Sequence, residues 1–129
     1  MASINVMEYL TIASLGNASD FGDLQVALGY RGGNTDGSRG VFAGDASRNV
    51  TIDYINITSL GNATDFGDMS AGRSGKASVG NGTRGVWGPG GNPPVNNIDY
   101  ITIATTGDAT DFGDATSTQH QTMASSGDA

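Results

Sequence analysis

The side chains here that could do chemistry are mostly carboxylates, and they recur at fixed spacing. Asn17, Asp20 and Asp23 stand three residues apart; so do Asn62, Asp65 and Asp68, and again Asp108, Asp111 and Asp114. Hard oxygen donors of this kind suit Ca²⁺. Asp20, Asp23, Asp65, Asp68, Asp111 and Asp114 are therefore the candidate metal ligands. The spacing matches neither an EF-hand loop nor a Gly-Gly-x-Gly-x-Asp repeat. On a strand, residues three apart also point to opposite faces, so one triplet cages an ion only if the turn folds back. The simpler expectation is structural: Asn or Asp after Gly supports its own turn, and Asp before Phe hydrogen-bonds backbone. On that reading no metal or cofactor is needed.

Catalysis finds little else to work with. The chain has no Cys, which removes thiol nucleophiles, disulfides and thiolate zinc sites. His120 is the one histidine and lies in a polar segment without a Ser or Cys partner in a recognisable motif. Asp-Phe-Gly also occurs in protein kinases. Here it occurs three times with no Gly-rich phosphate loop, strand Lys or His-Arg-Asp loop, so the kinase reading is discarded. The expectation is a non-enzymatic protein.

The triplets belong to a longer string, [DE]-Y-[LI]-x-I-x-x-x-G-[ND]-A-[ST]-D-F-G-D, present from Glu8, from Asp53 and from Asp99. A second string, Arg39-Gly40-Val41-Phe42, returns as Arg84-Gly85-Val86-Trp87. A fixed period of about 45 residues marks a repeat architecture. The units are approximately 8–52, 53–98 and an incomplete 99–129 of one repeat domain. Tyr9, Tyr54, Tyr100, Phe21, Phe66, Phe112, Phe42 and Trp87 recur in register, which is the mark of packing between units. Arg39 and Arg84 are placed to bridge the acids that open the Tyr strands, Glu8, Asp53 and Asp99. A sugar-stacking role for Trp87, beside a Gly/Pro loop, is the functional alternative.

These elements read as strands. Tyr54 to Ser59 and Arg39 to Ala43 are rich in β-branched and aromatic residues, with apolar groups on both faces. Such strands fit sheets covered on both sides. A strand around Asp-Phe-Gly-Asp and a weaker one such as Leu24 to Tyr30 make four per unit. Turns are expected at Leu60-Gly61-Asn62, Gly32-Gly33-Asn34, Asp36-Gly37, Gly80-Asn81-Gly82 and from Gly88 to Pro94, with Pro93-Pro94 at a loop tip. No sustained 3.6-residue periodicity supports a long helix. The fold expected is all-β, built of tandem four-stranded units like the blades of a β-propeller. A β-trefoil is the alternative.

Composition agrees with thin, turn-rich units: 36% of 129 residues are apolar and 21 are Gly. The net charge of -7 argues against nucleic acid, which requires clustered Lys and Arg, and against anionic membrane surfaces. The first residues show neither a basic n-region nor an apolar h-region, so no signal peptide is read. The five Asn-x-Ser/Thr sequons, at Asn17, Asn49, Asn56, Asn62 and Asn81, read as strand and turn residues rather than glycan sites.

The string I-D-Y-I-T-I-A-T-T-G-[ND]-A-T-D-F-G-D, followed by [ST]-R-G-V-[FW], resembles kelch-like propeller repeats of tailed-bacteriophage virion proteins, especially those of marine and cyanobacterial phages. The resemblance covers about residues 6 to 115. The chain departs from it after R-G-V-[FW], with Ala43-Gly44-Asp45 and Gly88-Pro89-Gly90-Gly91 where the family often has a Gly run. The resemblance implies a virion structural or assembly protein (fibre, tail or decoration component), made in the host cytoplasm and resident in the virion. Other virion proteins are the partners it suggests. The alternative is a lectin-like module that binds a host surface glycan. Three units are fewer than a closed propeller uses, and Val6-Met7-Glu8-Tyr9-Leu10 carries no polar cap. Self-association into a ring or a head-to-tail polymer is therefore expected.

Overall fold

The computed structural model describes residues 4–45, 47–74, 77–91 and 94–119. Ten strands and no helix occur among them. β1 (Val6–Tyr9) and β2 (Ser19–Asp23) form a two-stranded antiparallel hairpin. β3 (Gly32–Thr35), β4 (Arg39–Ala43), β5 (Thr51–Asn56) and β6 (Thr64–Asp68) form a four-stranded antiparallel meander. β7 (Ser78–Gly80), β8 (Arg84–Trp87), β9 (Val95–Thr102) and β10 (Thr110–Gln119) form a second. The all-β expectation holds. The hydrogen bonds close separate local meanders, not the single shared barrel of a β-trefoil.

Four strands per full sheet is right, but the weak one is elsewhere. Leu24 to Tyr30 is not a strand, and neither is Met69 to Ser74. The fourth strand precedes Arg-Gly-Val: it is β3, where Gly32-Gly33-Asn34 reads as a turn in the sequence, and β7. Gly-Gly-Asn-Thr has poor intrinsic strand preference. It is extended because β4 offers a free edge, and Gly32 to Thr35 pair in register with Ala43 to Gly40. In the third copy Ala115 to Gln119 is no separate strand but the continuation of β10. His120 and Pro93 lie outside the described residues.

The hairpins β3–β4 and β7–β8 carry the turn chemistry that their Asp-Gly and Asn-Gly dipeptides announce. Gly37 and Gly82 have φ of 90° and 80°, a region a side chain disfavours. Asp36 Oδ1 accepts the N–H groups of Ser38 (2.8 Å) and Arg39 (2.7 Å) and the Ser38 hydroxyl (2.8 Å). Asn81 Oδ1 accepts the N–H groups of Thr83 (3.0 Å) and Arg84 (2.9 Å). The Arg39 N–H first, then the Ser38 N–H, holds the Asp36 carboxyl below its ordinary pKa. A depressed folded pKa gives stability that is complete above the unfolded value of about 4 and is lost as pH falls through the folded one. Asp36→Asn keeps a neutral acceptor. The native chain is expected to melt above this variant at neutral pH, with the gap closing as pH falls below about 4. A gap independent of pH would refute the assignment.

One apolar core lies between the two meanders: Val41, Ala43, Ile52, Phe66 and Met69 with Trp87, Ile101 and Ile103. Trp87 is fully buried and donates its indole N–H to the Gly32 carbonyl, 3.2 Å away. A Cβ at Gly85 would meet Asn34 at 2.9 Å, so the Gly of Arg-Gly-Val here makes room for the preceding sheet. Burying each large apolar side chain contributes about 1.5–3 kcal/mol. No helix among the described residues is long and apolar enough to cross a membrane.

Candidate functional site

The Asp-Phe-Gly-Asp segment is a strand with a bulge at Phe in every copy. Met7 pairs with Gly22 and Glu8 with Asp20, which leaves Phe21 as the extra residue. Ile52 with Gly67 and Asp53 with Asp65 leave Phe66; Ile98 with Gly113 and Asp99 with Asp111 leave Phe112. The glycine that follows has φ of 145°, 143° and 136° in turn. A bulge re-aims a side chain. Here it brings the Phe edge onto the Tyr of the adjacent strand. Tyr9–Phe21, Tyr54–Phe66 and Tyr100–Phe112 are T-shaped pairs with centroids 6.1, 5.9 and 5.8 Å apart, all at 82°.

Each bulged strand then receives the Gly-[ND]-Ala segment of the next copy. The Gly61 N–H donates to the Phe21 carbonyl (2.9 Å) and the Ala63 N–H to the Asp23 carbonyl (2.8 Å). The Asp23 N–H donates to Asn62 Oδ1 (3.0 Å). One copy later, Gly107 donates to Phe66 (2.7 Å), Ala109 to Asp68 (2.7 Å), and Asp68 N–H to Asp108 Oδ1 (3.0 Å). Asn62 and Asp108 therefore do not serve their own turns, as the sequence suggests; they cap the preceding copy's strand. A Cβ on Gly22 would lie 2.3 Å from the Gly61 carbonyl oxygen, and one on Gly67 2.4 Å from that of Gly107. Only glycine permits this approach.

Asp53 of β5 and Asp99 of β9 are fully buried but pair with arginines outside the repeated strings. Arg31 Nη1 lies 2.6 Å from Asp53 Oδ2. Arg73 Nη2 pairs with Asp99 Oδ2, while Asp99 Oδ1 accepts the Ser70 hydroxyl at 2.6 Å. Arg73 Nη1 donates to the Asn97 carbonyl at 2.6 Å. Burial pulls Arg73 below its ordinary pKa, opposed by attraction to Asp99 and Asp111. The expected bridges from Arg39 and Arg84 are not formed. Their guanidinium groups stack on Tyr54 (4.9 Å) and Tyr100 (4.7 Å), a cation–π arrangement. Arg39 also donates to the Ile103 and Ala104 carbonyls of the other meander, at 3.3 and 3.0 Å. No sequence signal marks Arg31 and Arg73, because their distance to the partner acid differs between copies.

The remaining sequence candidates divide. Phe21 and Phe66 are buried, Phe42 is half-buried, and Phe112 is 56% exposed. Trp87 is inaccessible, which removes its sugar-stacking role. Among the described residues no group of three or more His, Asp or Glu side chains is arranged to hold a metal ion. Asp111 Oδ1 accepts the Gly113 N–H at 3.0 Å, a local backbone role. Chelation with EDTA is expected to leave the melting temperature unchanged. A fall reversed by Ca²⁺ would turn the Asp triplets into metal sites. Two shallow grooves, about 380 and 320 Å³, run beside Tyr54 to Thr64 and beside Tyr100 to Thr110. The second is lined by Thr hydroxyls and by Asp108, whose Oδ1 accepts the Asp68 N–H of the dock. No protein-family model matches the chain, and no curated protein matches it.

Proposed function

We propose that this chain is a non-enzymatic structural protein of a bacteriophage virion, a fibre, tail or decoration component. Its propeller-blade-like units dock one on the next. The observation that carries the reading is the three-bond dock from Gly-[ND]-Ala to the bulged strand, made twice with the same atoms. Machinery of this kind positions units. The virion assignment rests on the sequence resemblance. Partners are further copies of the chain and other virion proteins, with no nucleic acid, membrane or cofactor.

The lectin-like reading has lost its best aromatic, since Trp87 is buried. Guanidinium groups stack on the Tyr54 and Tyr100 rings that a sugar would use. The test is co-sedimentation: phage particles banded by density, with an antibody against this chain, should carry it in the particle band. Its presence in the soluble fraction alone would overturn the virion reading. Saturable binding on a glycan array would favour the lectin instead.

A further inference from the structure

We infer that the chain binds a second copy of itself head to tail, with Gly16-Asn17-Ala18 of one copy docking on the Phe112-Gly113-Asp114 edge of another. The inference rests on the assembly reading above and adds the surface and the atoms.

The dock between successive copies has a donor half, Gly-[ND]-Ala, and an acceptor half, the Phe carbonyl with the Asp N–H and carbonyl. Both internal docks are filled. Among the described residues, both halves also remain unmatched once each. Gly16, Asn17 and Ala18 are exposed, and nothing lies within 4 Å of a Cβ built on Gly16. At the other end a Cβ on Gly113 would also meet nothing within 4 Å, although its backbone, with φ of 136°, matches Gly22 and Gly67. The acceptor edge is thus already formed. It carries the same bulge and the same Tyr–Phe pair as the two filled edges.

Apolar exposure follows the same logic. Phe21 and Phe66, under a dock, are 9% and 3% exposed; Phe112, without one, is 56% exposed. Ile103, on a face covered by the preceding meander, is fully buried, whereas its counterpart Ile12 is 94% exposed. Leu10 is 62% exposed against 3% for its counterpart Ile101. A second copy that repeats the internal dock covers the open Phe of one chain and brings the Leu10–Ile12 face of the other against it. An interface of this kind is heterologous, so it builds a ring if the rotation closes and a filament if it does not.

The test uses two variants of the full chain. Ala18→Pro deletes the N–H that would donate to the Asp114 carbonyl, at an exposed position whose N–H makes no bond in the fold described. Phe112→Asp places a charge under the dock at the opposite end. The molar mass of the native chain, by light scattering over increasing concentration, is expected to rise above 13.1 kDa. Each variant alone is expected to stay monomeric, with circular dichroism like the native chain's. Mixed in equal amounts they retain one intact half each, so they should form a pair and stop there. A mixture that stays monomeric, while the native chain assembles, overturns the head-to-tail dock. So does native-like assembly by either variant alone, and in both cases the broader assembly reading stands. A native chain that is monomeric at every concentration overturns the dock and self-assembly together. A variant with altered circular dichroism is replaced by Asn17→Gly or Phe112→Lys, judged by the same outcomes.

Discussion

Arg73→Ala is expected to destabilise the chain by about 3–5 kcal/mol, the range for removing one partner of a buried ion pair. Both side chains are fully buried. In the variant, Asp99 keeps the Ser70 hydroxyl and loses the cation that compensates its charge. The Asn97 carbonyl loses its donor as well. Domains of this size are stable by about 5–15 kcal/mol, so a loss of that order lowers the melting temperature by roughly 10–20 °C. Urea unfolding of Arg73→Ala and of the double variant Arg73→Met/Asp99→Leu separates charge from packing. The double variant should recover much of the loss, because apolar replacements of a whole buried pair are often neutral. A single variant within about 1 kcal/mol of the native chain would show that Asp99 reaches solvent.

Phe66→Ala is expected to cost about 3–5 kcal/mol, while the identical change at Phe112 costs about 1 kcal/mol or less when measured on dilute monomer. The two residues share motif, bulge and aromatic partner. They differ in what lies above them. Phe66 is buried in the core between the meanders, and Gly107 donates to its carbonyl. Phe112 makes an edge contact to Tyr100, ring centroids 5.8 Å apart, and is 56% exposed. Chemical unfolding of both variants at micromolar concentration decides the matter. Equal losses would mean that the Tyr–Phe pair, not coverage by the next copy, sets the cost.

Much of the local structure is determined by the sequence alone. The Asp-Tyr and Arg-Gly-Val-[Phe/Trp] segments have the β-branched and aromatic content of strands, and they form β4, β5, β8 and β9. Asp36-Gly37 and Asn81-Gly82 are hairpin signals because a short polar side chain and a residue free to take positive φ are what such a turn needs. These are interactions between neighbours in the chain, so a linear reading can find them.

Tertiary structure decided the rest. Gly32 to Thr35 has no strand preference and becomes one because a neighbouring edge needs a partner. Asp53 and Asp99 take Arg31 and Arg73, 22 and 26 residues away, because burial demands a compensating cation and spacing does not prescribe which. One motif yields two buried phenylalanines and one open one, since burial belongs to the neighbour and not to the residue. Asn62 and Asp108 cap a strand some 40 residues upstream for the same reason: docking brings together donors and acceptors whose separation along the chain carries no local signal.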